Sequence, residues 1–206
     1  MTLVTETSSK LPREFFARNT LVVARELIGM QLVHVHGGVR RVGRIVETEA
    51  YLGPKDLAAH SARGMTPRNA VMFGRPGHAY VYLIYGIWNC VNVVTREEGV
   101  PQAVLLRALE PVEGLEGEPT WGPGLLCRAM RIDRALQGAD LQGDALWIEH
   151  PPAPARRPRV TRAARIGVDY AGDWALRLWR FFAADSAYVS TVSSAARARA
   201  LKARSG

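Results

Sequence analysis

The sequence predicts one mixed α/β (α+β) domain. Three observations point that way. The 206 residues suffice for one well-packed domain or two small ones, and no linker is long enough to force a boundary. Short segments rich in β-branched and aromatic residues recur along the chain, bounded by Gly and Pro. Only a few stretches carry helix signals.

In order, residues 1–10 are polar and expected to be disordered, and residues 11–16 form a short docking turn. Thr20 is placed to cap a helix over 21–28, with Gly29 just past its end. Residues 30–35 and 39–50 read as a hairpin joined through His36-Gly37-Gly38, and Gly53-Pro54 ends the second strand. Residues 56–77 read as irregular or partly helical. Strands are expected over 79–85 and 90–95, around Gly86, and over 103–109, stopped before Pro111. Glu110, Glu113, Glu116 and Glu118 read as a solvated acidic loop. Gly122-Pro123-Gly124 opens a helix through Met130, since Pro is tolerated in a first turn. Short strands follow at 145–149 and 180–183, with a surface loop at 151–158. The domain is expected over 11–192. The basic, alanine-rich tail, 193–206, reads as either helical or flexible.

Composition narrows the class. A hydrophobic share of 48% and a charged share of 22% are ordinary for a globular protein. Net charge is +8, and only three of the 27 basic residues are lysines. Excess basic charge asks for an acidic partner, and arginine suits bidentate phosphate contact. Cys90 and Cys127 are the only cysteines and form no CxxC pair, which argues against a zinc site and for a reducing compartment. Residues 1–10 lack the apolar core of a signal peptide, and no apolar run reaches membrane-spanning length. A soluble, cytoplasmic protein with no cofactor or metal is expected.

Residues 44–51 carry the chemistry. Side chains alternate along a strand, so Glu47, Glu49 and Tyr51 share one face. Two carboxylates and a phenol make a poor core and a plausible acid/base site; the plain alternative is a solvated strand edge. No acid follows Asp56 until Glu97. The interval holds Arg63, Arg68, Arg75 and Arg96 together with Phe73, Tyr80, Tyr82, Tyr85 and Trp88. Cations interleaved with rings fit a nucleic-acid surface, although Tyr80 and Tyr82 could equally pack a sheet. A second acid-free stretch, 150–168, gathers Arg156, Arg157, Arg159, Arg162 and Arg165.

Several motifs together resemble the alkyladenine (3-methyladenine) DNA glycosylase family. They are Gly43-Arg44-Ile45-Val46-Glu47-Thr48-Glu49-Ala50-Tyr51, Ala59-His60-Ser61, Thr66-Pro67-Arg68-Asn69, Tyr80-Val81-Tyr82-Leu83-Ile84-Tyr85-Gly86 and Leu105-Leu106-Arg107-Ala108-Leu109-Glu110-Pro111. Gly122-Pro123 and Ala164-Arg165-Ile166-Gly167-Val168 extend the likeness, which runs from about residue 11 to 190. The resemblance implies a single compact domain around a curved, mainly antiparallel sheet with peripheral helices. It implies excision of damaged purines flipped out of duplex DNA, by a monomer approaching the minor groove. Glu49 would activate water, Arg107 would help hold it, and a backbone carbonyl near Ile166 would assist. Tyr51, His60 and Tyr82 would line the pocket, Asn92 would exclude the exocyclic amine of guanine, and Tyr85 would wedge the duplex. Arg68, Arg75 and Arg165 are the expected backbone-phosphate contacts. One departure stands out: Leu125 occupies a position where the family usually carries a basic residue.

The chemistry of the residues agrees. Hydrolysing an N-glycosidic bond passes through a cation-like sugar, and a general base contributes about 10²- to 10⁴-fold. No family motif places Lys55 near the site, so water rather than a Schiff base is expected as nucleophile. Two other classes fit parts of the pattern. Glu47 and Glu49 would lie roughly 6.6 Å apart along a strand, which overlaps the spacing of an inverting glycoside hydrolase. A non-catalytic nucleic-acid-binding module would explain the charge alone.

Overall fold

The computed structural model describes residues 9–202. Its centre is two long strands, β2 (Val39–Tyr51) and β5 (Gln102–Glu113), paired antiparallel. Around them run β1 (Gln31–His36), β3 (Ala79–Ile84), β4 (Trp88–Thr95) and β6 (Leu146–Glu149), in the order β3-β4-β5-β2-β1-β6. The hairpin of β7 (Val160–Ala163) and β8 (Arg180–Ala183) joins β2 at Glu47, Thr48 and Glu49, beyond the end of β1. Every pairing is antiparallel and the sheet is curled into a half-barrel, as the resemblance implies.

The hairpin turn is the expected one. Gly37 and Gly38 have φ of +59° and +76°, the positive values that a two-residue turn of primed type requires. The strand β5 does not stop before Pro111. It continues to Glu113, with Pro111 opposite Gly43 where the β2–β5 register slips. A bulge tolerates the missing N–H, so Pro here does not end the strand. Glu110 and Glu113 are therefore strand residues, paired with Arg44 and Arg40, rather than part of a free acidic loop.

Helices flank the sheet. The first two are α1 (Arg13–Phe16) and α2 (Thr20–Glu26). The N-cap of α2 is Asn19, whose side chain accepts from the amides of Leu21 and Val22, and not Thr20. Thr20 is instead buried, bonding Thr95 and Gln102 across the core. On the site-free face of β2, the Thr48 hydroxyl donates to the Ala24 carbonyl and docks α2. The third helix, α3 (Pro123–Met130), buries Leu126, Cys127, Ala129 and Met130 against the sheet. Ile45, Leu106, Leu109, Leu32 and Leu126 lie in one apolar core, each buried side chain stabilising the fold by about 1.5–3 kcal/mol.

The N-terminal stretch departs from expectation where it is described, and the tail takes the helical of its two expected forms. Ser9 and Lys10 belong to the stretch expected to be disordered, yet the Lys10 ammonium pairs with Asp144 and the Ser9 carbonyl accepts from the His150 amide. The rest of that stretch, 1–8, lies outside the described residues. In the tail, Ser194–Lys202 forms α4, anchored by Arg197. Its guanidinium donates to the carbonyls of Ala187, Val189 and Val192 and lies 4.4 Å from the Trp121 ring centre. Strand β7 falls in an arginine-rich segment that carries no strand signal of its own. Its pairing with β8 makes it a strand.

Candidate active site

Strand β2 turns Glu47, Glu49 and Tyr51 to the face opposite α2, as alternation requires. Neither carboxylate is at a solvated edge: both are fully buried. Arg107, on the neighbouring β5, reaches both, with Nε 3.3 Å from Glu47 Oε1 and Nη1 3.2 Å from Glu49 Oε2. Burial works against the Arg107 cation, but Glu49 and Glu47 outweigh it and hold the pKa above the ordinary arginine value.

The two glutamates have different surroundings. Glu47 accepts from Arg107, Arg180 Nη1 (3.0 Å), the Ser190 amide (2.7 Å) and the Ser190 hydroxyl (2.9 Å). Three of these donors converge on Oε1 and the Ser190 amide takes Oε2. These bonds tie Glu47 to β5, β8 and Ser190, a structural role that argues against its being the second carboxyl of an inverting glycoside hydrolase. Glu49 accepts from three donors: Tyr51 Oη at 2.9 Å, Arg107, and the Ile166 amide at 2.7 Å. Burial raises its pKa; Arg107, the Ile166 amide and Tyr51 oppose the shift without cancelling it. A buried carboxylate held above its usual pKa, with an acceptor position to spare, is what a general base requires.

Beside it lies a small pocket lined by Tyr51, Ala58, His60, Met72, Tyr80, Tyr82, Asn92 and Ala103. His60 stands edge-on to Tyr82 with ring centres 4.5 Å apart, and its Nδ1 lies 2.8 Å from the Tyr80 hydroxyl. Burial, then the Arg68 cation, depresses the His60 pKa, so the ring is neutral at neutral pH. Burial pushes Tyr80 up to about 12 and raises Tyr82 further. Both tyrosines border the pocket; Tyr80 is the more deeply buried, 1% exposed, and Tyr82 is half-buried. Asn92 is buried on β4 and donates to the Tyr80 carbonyl.

Tyr85 is at the β3–β4 turn with φ +53° and is 86% exposed, with Ile87 beside it at 70%. An aromatic side chain in the left-handed region on a turn tip is strained and unpacked. Arg68 and Arg75 are exposed, and Arg68 lies 5.3 Å from the Tyr82 ring centre. Arg165 is a correction. Its guanidinium is enclosed, pairing with Asp56 at 2.6 and 2.8 Å with both side chains fully buried, so it has no surface to offer a phosphate. Ile166 meets Glu49 through its N–H, while its side chain is 39% exposed. Leu125, in place of a basic residue, is half-buried on α3; Arg128, one turn on, is exposed and lies over Trp88. Sequence reasoning missed Asp56, Arg180 and Ser190, because their partners are remote in the chain.

A buried carboxylate beside an aromatic-lined pocket, with an exposed aromatic ring at a turn tip, on a basic curled-sheet domain fits an enzyme of nucleic-acid base chemistry. A model of the methylpurine-DNA glycosylase family matches residues 14–187, and the chain belongs to that family. Relatives named as candidate 3-methyladenine DNA glycosylases support it. One from Anaeromyxobacter dehalogenans (strain 2CP-C) is 58% identical over 182 residues, covering 88% of this chain and 86% of its own. Another from Myxococcus xanthus (strain DK1622) is 55% identical, with coverages of 87% and 93%. A third from Legionella pneumophila (strain Corby) is 51% identical, with coverages of 88% and 98%. The chain is a DNA glycosylase, a hydrolase of N-glycosyl bonds in DNA repair. No helix among the described residues is long and apolar enough to cross a membrane, and they contain no metal-binding cluster.

Proposed function

We propose that this protein removes alkylated and deaminated purines, the class of 3-methyladenine, 7-methylguanine, hypoxanthine and ethenoadenine, from duplex DNA. It does so by flipping the nucleotide and hydrolysing its N-glycosidic bond with water. The observation that carries this reading is Glu49, buried with three donors on its carboxylate and adjoining the pocket of Tyr51, His60 and Tyr82.

Each step follows from the side chains. The remaining acceptor position on Glu49 takes the proton of an attacking water, and its negative charge faces the cation-like sugar. Arg107 and the Ile166 amide fix the carboxylate in one orientation. The rings of Tyr51 and Tyr82 favour an electron-poor or cationic base. His60, neutral at neutral pH, adds no charge to repel it. The Asn92 side chain narrows the pocket against the exocyclic amine of guanine. Tyr85 fills the gap left in the duplex, entering from the minor groove. Arg68 and Arg75 contact phosphates, and Arg128 takes the part for which Leu125 is unsuited.

No lysine lines the pocket, so the product is a free base and an intact abasic strand. The test is incubation of the protein with methylated duplex DNA, chromatography of released purines, and gel analysis of the strand. Release of free methylpurine without strand scission is expected. Tight duplex binding with no released base would leave a binding module instead.

A further inference from the structure

The Ile166 amide that holds Glu49 belongs to the loop that follows β7. Residues 164–166 are held one after another. The Ala164 carbonyl accepts from Arg180 Nε at 2.8 Å, Arg165 is enclosed with Asp56, and the Ile166 amide donates to Glu49. Both terminal nitrogens of Arg165 are engaged beyond Asp56. Nη1 also donates to the Ala50 carbonyl and Nη2 to the Trp174 carbonyl, while the cation lies 4.8 Å from the Tyr51 ring centre and 5.0 Å from that of Trp179. Asp56 in turn accepts from the amides of Leu52 and Ala58, just past the end of β2. The pair thus ties the strand that carries Glu49 and Tyr51 to the loop that supplies the Ile166 N–H.

We propose that Asp56 and Arg165 are a positioning pair that clamps the Ile166 amide onto Glu49 and fixes the Tyr51 ring, keeping the general base oriented and charged. This rests on Glu49 being the base. Both side chains are fully buried and engaged with each other, so each acts through another group. A hydrogen bond to a carboxylate favours its charged form, so loosening the loop raises the pKa of Glu49. The other groups facing Glu49 are Glu47 and Tyr51 on β2, Arg107 on β5, Tyr82 on β3 and Cys90 on β4. Burial holds Tyr51, Tyr82 and Cys90 protonated through neutral pH; Arg107 and Glu47 are kept in every variant, and the Arg165 cation beside Tyr51 is kept in Ile166→Pro and replaced by another cation in Arg165→Lys.

The experiment compares the parent with Asp56→Asn, Arg165→Lys and Ile166→Pro. Proline at 166 deletes the N–H while leaving the buried pair in place, which covers the case that the buried substitutions fail to fold. Single-turnover excision from methylated duplex is measured across pH, with duplex affinity alongside. The Glu49 carboxyl is titrated by carbon NMR in the free protein, a readout independent of activity. Each folded variant should lose about ten- to a hundredfold in excision rate at neutral pH, with affinity within about twofold. The acid limb of the rate profile and the Glu49 titration should both move to higher pH. A Glu49 titration unmoved in Ile166→Pro, or equal losses of rate and affinity in the folded variants, overturns the proposal. A parent that releases no base would overturn the assigned reaction, and the NMR titration would still decide the clamp.

Discussion

Tyr51 donates its hydroxyl proton to Glu49 Oε2 at 2.9 Å, the same oxygen that Arg107 Nη1 reaches at 3.2 Å. Oε1 receives only the Ile166 amide. The two oxygens are therefore unequal, and Oε1 is the less engaged, the one that the proposed reaction would use. Glu47 is loaded more heavily, with Arg107, Arg180 and the Ser190 hydroxyl all on Oε1 and the Ser190 amide on Oε2, four donors against the three on Glu49.

Glu49→Gln should lower excision by at least about a hundredfold while duplex affinity stays near that of the parent. Glutamine can still accept from the Ile166 amide, so the loop keeps its contact. Burial raises the Glu49 pKa in the folded protein, so ionisation at 49 opposes folding once pH exceeds the unfolded value. The neutral amide removes that cost but turns its NH2 toward the Tyr51 and Arg107 donors, so thermal melting at neutral pH should show a smaller loss of stability than Arg107→Ala. Glu47→Gln breaks a four-donor network and should melt earlier. An active Glu49→Gln protein beside a folded but inactive Glu47→Gln protein would reverse the two roles.

The pH dependence follows from the same group. A base must be ionised, and Glu49 is held above the ordinary glutamate value of 4.5. The single-turnover rate should therefore fall with decreasing pH along a limb whose midpoint lies above that value. His60 is depressed, so it stays neutral where Glu49 is ionised until the solution is acidic. A flat profile through the weakly acidic range would show that no carboxylate with a raised pKa limits the reaction.

Arg107→Ala should lower the excision rate more than duplex affinity, because the residue is buried beneath the site rather than on the surface. Removing one partner of a buried ionic network also costs about 3–5 kcal/mol of stability, which chemical denaturation would report. Loss of rate and affinity in equal proportion would make Arg107 a contact to DNA.

How far the site could be read in the sequence depends on distance along the chain. Strand alternation brought Glu47, Glu49 and Tyr51 together, and the hairpin followed from two glycines, because both are local rules. The division of labour between the glutamates was hidden. Arg180 and Ser190 reach Glu47 from 133 and 143 residues away. Arg165 misled for the same reason: it ends a run of surface arginines, and only the fold brings it to Asp56, 109 residues distant. Pro111 misled because a bulge opposite Gly43, visible only in the pairing of β2 with β5, lets the strand pass through it.

Asn92 should control selectivity. It is 4% exposed, borders the pocket and is oriented by its bond to the Tyr80 carbonyl. Asn92→Ala or Asn92→Ser opens space where the 2-amino group of guanine would sit. Excision of normal guanine relative to hypoxanthine should rise, measured by competition in one duplex pool. An unchanged ratio takes Asn92 out of the selectivity account.

Tyr85 is the clearest case of a side chain that folding does not explain. It is 86% exposed, with φ +53°, on a turn tip shared with Gly86 and Ile87. A ring held out in water at a strained position gains nothing for the folded state, so its function lies with a partner. As a wedge it should hold the flipped nucleotide by roughly 1–3 kcal/mol, the scale of one stacking contact. Tyr85→Ser should then weaken binding to lesion-containing duplex far more than to undamaged duplex. A fluorescent adenine lesion should show a smaller emission change on binding, while hydrolysis of a base already flipped proceeds nearly normally. Stability should be unchanged, since the ring is unpacked. If Tyr85→Ser flips the lesion as fully as the parent, the insertion belongs to the neighbouring Ile87, itself 70% exposed, and Ile87→Ala would carry the defect instead.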